Sequence, residues 1–148
     1  MNIKKRVDNN IPFSLHDSRI IKISVEAERL TLTLDKVYEY NGDSEKSYPA
    51  TMLFEGIDYE ECDVIVFDSE LGYGLFTGTR YRMREFVDKF PNGIFEIITE
   101  TYSVYDTVFR GYIYKNGCVY GSGIISIWTM GDVILSTNYA SNKKDDRI

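Results

Sequence analysis

Two alternating apolar runs separated by four residues, Ile21-Lys22-Ile23-Ser24-Val25 and Leu30-Thr31-Leu32-Thr33-Leu34, leave this chain few ways to begin a fold. Apolar residues at every second position put one row of side chains on one face of a strand and the polar residues on the other. The connection Glu26-Ala27-Glu28-Arg29 is far shorter than a parallel crossover requires, so the sequence predicts an antiparallel hairpin whose aliphatic faces, Ile21, Ile23, Val25 and Leu30, Leu32, Leu34, start one core. Ahead of it, Phe13 to Ser18 reads as a short polar turn carrying the only histidine in the chain, His16.

Further along, Val37 to Tyr40 prolongs the second strand, Asn41 to Ser47 is polar enough for an exposed loop, and the chain re-enters the sheet near Ala50 to Ile57. Cys62 to Asp68 reads as another strand. One segment has helical rather than strand periodicity: Met83, Phe86, Val87 and Phe90 trace a single stripe, which predicts a helix from about Thr79 to Phe90 ended by Pro91-Asn92-Gly93. Arg84 with Asp88, and Glu85 with Lys89, are spaced to pair on its wet side. Ile94 to Val104, Val108 to Lys115, Cys118 to Trp128 and Val133 to Tyr139 then read as an antiparallel meander. Asn116-Gly117 favours a two-residue turn with positive φ at both positions, Gly131-Asp132 is placed to close the next hairpin, and Gly121-Ser122-Gly123 marks a bulge or bend. The fold class is therefore α+β, mainly antiparallel β: a curled sheet or partly open barrel of seven to eight strands with one central helix at about 79–90, a two-sheet sandwich fitting the same pattern. Length is that of a single domain spanning 1–148, with a polar N-terminal arm at 1–12 and a frayed tail at 140–148.

Charge narrows the partners. The net charge is −6, and without residues 1–8 and 143–148 it is −9, so phosphate backbones are repelled and basic partners attracted; no nucleic acid is expected. No apolar run approaches the roughly 18 residues of a membrane span, and no signal-peptide pattern is visible, which together suggest a cytoplasmic protein. Cys62 and Cys118 form no C-x-x-C pair and are expected to be reduced core thiols.

Three constellations are chemically suggestive. In His16-Asp17-Ser18 a lone histidine has the chemistry of a general base, yet neighbouring residues of an extended chain face opposite ways, so Asp17 is poorly placed to orient it. Gly72-x-Gly74-x-x-x-Gly78 lacks the Lys-Ser/Thr ending of a phosphate loop, and no cofactor is expected. Asp58, Glu60, Glu61, Asp63, Asp68 and Glu70 concentrate negative charge; Glu61 and Asp63 share a strand face, but the spacing matches no calcium loop, and no metal site is expected. Interleaved with these acids are Tyr59, Tyr73, Phe76 and Tyr81. Aromatic anchors ringed by carboxylates suit a binder of a basic protein surface, so Asp58, Tyr59, Glu60, Glu61, Asp63 and Tyr73 are the expected partner-binding residues.

An apolar residue followed by His16, Asp17 and Ser18, then an alternating strand, a tight turn and a Leu-x-Leu-x-Leu strand, resembles the start of small uncharacterised bacterial β-rich families, some of them associated with polymorphic-toxin immunity. The likeness covers residues 13–35 and implies a non-enzymatic protein, with no catalytic role to carry to His16. The expected function is thus a binding protein of the immunity kind that neutralises a basic toxin. The alternatives are a small-ligand-binding β-barrel and a hydrolase using His16 as base.

Overall fold

The leading hairpin forms as its alternation dictates, with β2 (Arg19–Val25) against β3 (Arg29–Asn41), Val25 opposite Leu30, and Leu30, Leu32 and Leu34 all buried. This computed structural model describes residues 2–5, 12–68 and 77–137, with no side chains described at 3–5. Beyond the hairpin come β4 (Ser44–Glu55), β5 (Asp63–Phe67), β6 (Gly78–Tyr81), α1 (Met83–Lys89), β7 (Ile94–Tyr102), β8 (Asp106–Lys115), β9 (Cys118–Trp128) and β10 (Val133–Thr137), with β1 (Asn2–Lys5) ahead of it. All ten strands belong to one antiparallel sheet in the order β1-β10-β4-β3-β2-β7-β8-β9-β5-β6, curled and left open because β1 and β6 do not meet. Phe54, Phe95, Phe109, Leu15 and Met83 fill the inside of the curl, each at most 2% exposed.

The α+β, mainly antiparallel architecture matches the expectation, and several details differ from it. Ten strands replace seven or eight, because Asn2–Lys5, within the expected polar arm, pairs with β10, and Gly78–Tyr81 pairs with β5. The latter shortens the expected 79–90 helix: Thr79 to Tyr81 gain ladder partners, and the helix starts at Met83, where the Glu85 carboxylate accepts the Arg82 N–H at 3.2 Å. Arg84 reaches the Val25 carbonyl at 3.2 Å rather than Asp88. In the first strand a bulge between Ile20 and Lys22 moves the register by one, so Ile20 is buried while Ile21, expected inside, is 48% exposed. The expected loop at 41–47 is a continuous hairpin that closes at Asn41 opposite Ser44.

The meander holds for β7, β8 and β9 but not for the last strand. Asn116 and Gly117 both take positive φ, 54° and 79°, and close β8 onto β9 as expected. After β9, Gly131-Asp132 carries the chain across to β4 instead of back along β9, so β10 lies between β1 and β4. Cys62 is buried, whereas Cys118, at the tip of the β8–β9 hairpin, is exposed. No helix among the described residues is long and apolar enough to cross a membrane. The tail at 140–148 lies outside the described residues.

Candidate functional site

The sheet consists of two groups of five strands that meet at β2 and β7, where strand pairing amounts to Arg19 opposite Glu96 and Ile20 opposite Phe95. The His16-Asp17-Ser18 turn lies at this junction. Asp17 N–H donates to the Ile97 carbonyl and Ile97 N–H to the Ser18 carbonyl, both at 2.8 Å, continuing the β2–β7 ladder beyond the strand. The β7–β8 register skips a residue between Ile97 and Thr99, and the bulged Ile98 turns its carbonyl to His16 Nδ1 at 2.6 Å. A carbonyl only accepts, so Nδ1 carries the proton in this contact. His16 Nε2 faces Asp17 Oδ2 at 3.5 Å with both side chains more than half exposed. Asp17 adopts φ 69°, one of two such non-glycine residues among those described, as the tight turn requires. Ser18 is fully buried, and its hydroxyl has no hydrogen-bond partner among the described residues. The imidazole is thus bound to backbone and faces an exposed carboxylate, with neither hydroxyl nor thiol in contact with its ring among the described residues.

The same turn is held from below by Glu100. Leu15 N–H donates to one carboxylate oxygen at 2.6 Å and the Tyr102 hydroxyl to the other at 3.1 Å. Burial pushes the Glu100 carboxyl above the usual carboxylate range, a rise that the Leu15 and Tyr102 donors and nearby His16 partly offset. Burial and the neighbouring Glu100 push the Tyr102 phenol up as well, so it remains a donor. Because the folded carboxyl holds its proton more tightly than the unfolded one, its contribution to stability is complete below the unfolded pKa and disappears as pH rises through the folded one. Glu100→Gln is therefore expected to remove this loss, so that from about pH 4 upward the variant's stability falls less, or rises more, than that of the native protein. Urea titrations across that range check this; an unchanged slope in the variant would show that Glu100 has no part in it.

The acidic stretch sits between β4 and β5, on a 3-10 turn at Tyr59–Glu61 that Asp58 caps by accepting the Glu60 N–H at 3.1 Å. Tyr59 is half-buried and turned inward: its hydroxyl lies 2.7 Å from the Glu26 carbonyl and 2.9 Å from that of Arg29, bracing the β2–β3 connection. Asp63 pairs with Arg80 at 2.5 Å, and Glu60 faces Arg82 at 3.6 Å, so these two carboxylates are balanced locally. Asp58 and Glu61 are exposed without a cation in contact among the described residues. Tyr73, along with Glu70, Phe76 and most of the glycine-punctuated loop, lies outside the described residues. Among the described residues no cluster of His, Cys, Asp or Glu is gathered to hold a metal ion.

The structure adds Tyr105, Asp106 and Trp128, which the sequence did not single out. Cys62, next to the acidic turn, accepts the Trp128 N–H at its sulfur at 3.3 Å, and Asp58 N–H donates to the Trp128 carbonyl at 3.2 Å. Burial pushes the Cys62 thiol up, a rise that its bond with Trp128 partly offsets and that Asp58, Asp63 and Asp106 reinforce. Asp106 lies opposite Trp128 in the β8–β9 ladder. Trp128 packs against Tyr105 with the rings tilted by 35° and their centres 5.1 Å apart, and Tyr105 is 43% exposed. The exposed aromatic beside the acid is therefore Tyr105, from the β7–β8 turn, while Tyr59 serves the scaffold. Proximity of these segments depends on which strands pair, which no local pattern reveals. Comparison of the chain with protein-family models, curated proteins and solved structures finds no match.

Proposed function

We propose that the chain is a non-enzymatic binding protein of the immunity kind, which neutralises a more basic toxin domain by covering it. The observation that carries this reading is the placement of Asp58 and Asp106 at Trp128, Asp58 N–H bonded to its carbonyl and Asp106 opposite it in the β8–β9 ladder, with the exposed Tyr105 ring packed against it. Carboxylates at the rim speed encounter with a cationic surface, and the Tyr105 ring, backed by Trp128, supplies desolvated contact once the partners meet. The turns carrying these residues are held by backbone hydrogen bonds, so little ordering remains to be done on binding. The histidine fits the same reading, since its ring ties the turn to the Ile98 carbonyl. The interior of the curl, where a barrel ligand would sit, holds Phe54, Phe95 and Phe109 instead.

The test is co-expression with basic toxin domains encoded beside the gene. Cells are expected to survive, and the association rate is expected to drop at least about tenfold between about 0.1 M and about 1 M salt, as the screening length shrinks from about 10 to about 3 Å. Association that is indifferent to salt, or the absence of protection with every such domain, would defeat the proposal.

A further inference from the structure

The turn joining β7 to β8 and the turn joining β9 to β10 lie side by side, tied by a hydrogen bond from Thr129 N–H to the Tyr105 carbonyl at 3.0 Å. Between them runs a groove of about 350 Å³ lined by Val104, Tyr105, Asp106, Thr129, Met130 and Asp132 among others. Three large apolar side chains stand out at its lips: Met130 is 66% exposed, Val104 57% and Tyr105 43%. Isolated exposed apolar residues need no explanation, but three large ones around a single groove mark a contact site. The β9–β10 turn is also stiff. Met130 N–H donates to Gly56, Gly131 N–H to Glu55, Thr129 Oγ1 to that same Glu55 carbonyl, and Glu55 N–H to Asp132. Met130 is thus held out in water by backbone that does not need to rearrange to receive a partner.

Charge decides what kind of partner. The charged side chains lining the groove are carboxylates, Asp106 and Asp132, and Asp106 lies opposite Trp128, whose carbonyl accepts the Asp58 N–H. Resting on the proposed function above, we propose that this groove is where the basic partner inserts an apolar side chain flanked by lysine or arginine. The apolar side chain packs on Met130 and Val104, while the flanking cations meet Asp106 and the face of Tyr105.

A pair of short peptides tests this on the intact chain, one with a leucine flanked by lysines and the other with serine in its place at equal charge. In ¹⁵N-detected titrations the leucine peptide is expected to bind at least about tenfold more tightly, the equivalent of one buried leucine, with shifts concentrated at Val104, Tyr105, Thr129 and Met130. Tyr105→Ser with Met130→Ser is expected to erase the difference between the peptides while leaving the rest of the spectrum in place. Equal affinity with shifts confined to Asp58–Glu61 would overturn the groove and leave the proposed function standing. Binding of neither peptide would overturn both, and shifts at the groove produced by phosphatidylcholine vesicles instead would assign it to a membrane surface.

Discussion

Gly111→Ala is expected to destabilise the protein by at least about 3 kcal/mol, near the upper end for overpacking a core. Gly111 sits in the middle of β8 opposite Ile97, beside the β7 bulge. A β-carbon built there would overlap the Glu96 carbonyl oxygen and come within 3.1 Å of the Phe95 ring. A side-chain tip would swing aside at small cost, but Glu96 is backbone within a paired strand, and moving it opens both the β7–β8 ladder and its contact with Arg19. Phe95→Leu in the same chain is therefore expected to restore little, since it relieves the lesser of the two contacts. Urea unfolding with an unchanged denaturant slope is the measurement. A Gly111→Ala protein within about 1 kcal/mol of the native one would mean that β7 and β8 are farther apart than described.

Phe109→Ala is expected to cost about 3–5 kcal/mol, the range for emptying a large aromatic site. Phe109 is fully buried and meets Tyr102 edge-on, ring centres 6.4 Å apart. Its loss should reach further than a cavity, because Tyr102 holds the Glu100 carboxylate and Glu100 holds Leu15 N–H. Faster hydrogen exchange at the Leu15 and Asp17 amides than at Leu32, in the variant relative to the native protein, is the signature of that relay. A loss below about 1.5 kcal/mol, or uniform exchange across both groups of strands, would show that Phe109 is replaceable filler.

Elements decided by local pattern were legible in the letters. Leu30, Leu32 and Leu34 alternate and are buried in that alternation; Met83, Phe86 and Phe90 form the buried stripe of α1; Asn116-Gly117 takes the positive φ values that the pair favours. What depends on the partner strand was not. Ile20 and Ile21 are the same residue type, and a bulge chooses which of them is buried. Val133–Thr137 reads as a strand whichever neighbour it takes, and its pairing with β4 rather than β9 comes from the tertiary fold. The acidic stretch was legible as charge, but not its division into carboxylates braced by Arg80 and Arg82 and carboxylates left open. Tyr59 had the composition of an anchor, and only the carbonyls of Glu26 and Arg29 reveal it as a strut. Tyr105, Trp128 and Met130 are separated along the chain and became a group when their turns were set side by side.

The placement of β10 between β1 and β4 sets an order on how the molecule is made. While the chain emerges from a ribosome, residues up to Trp128 can assemble the β7–β8–β9 portion, but β4 keeps one unsatisfied flank until Val133–Thr137 is released. A polypeptide stalled in that interval would offer Ala50 to Phe54 as a template for strands of other nascent chains, and protection comes only when β10 takes its place.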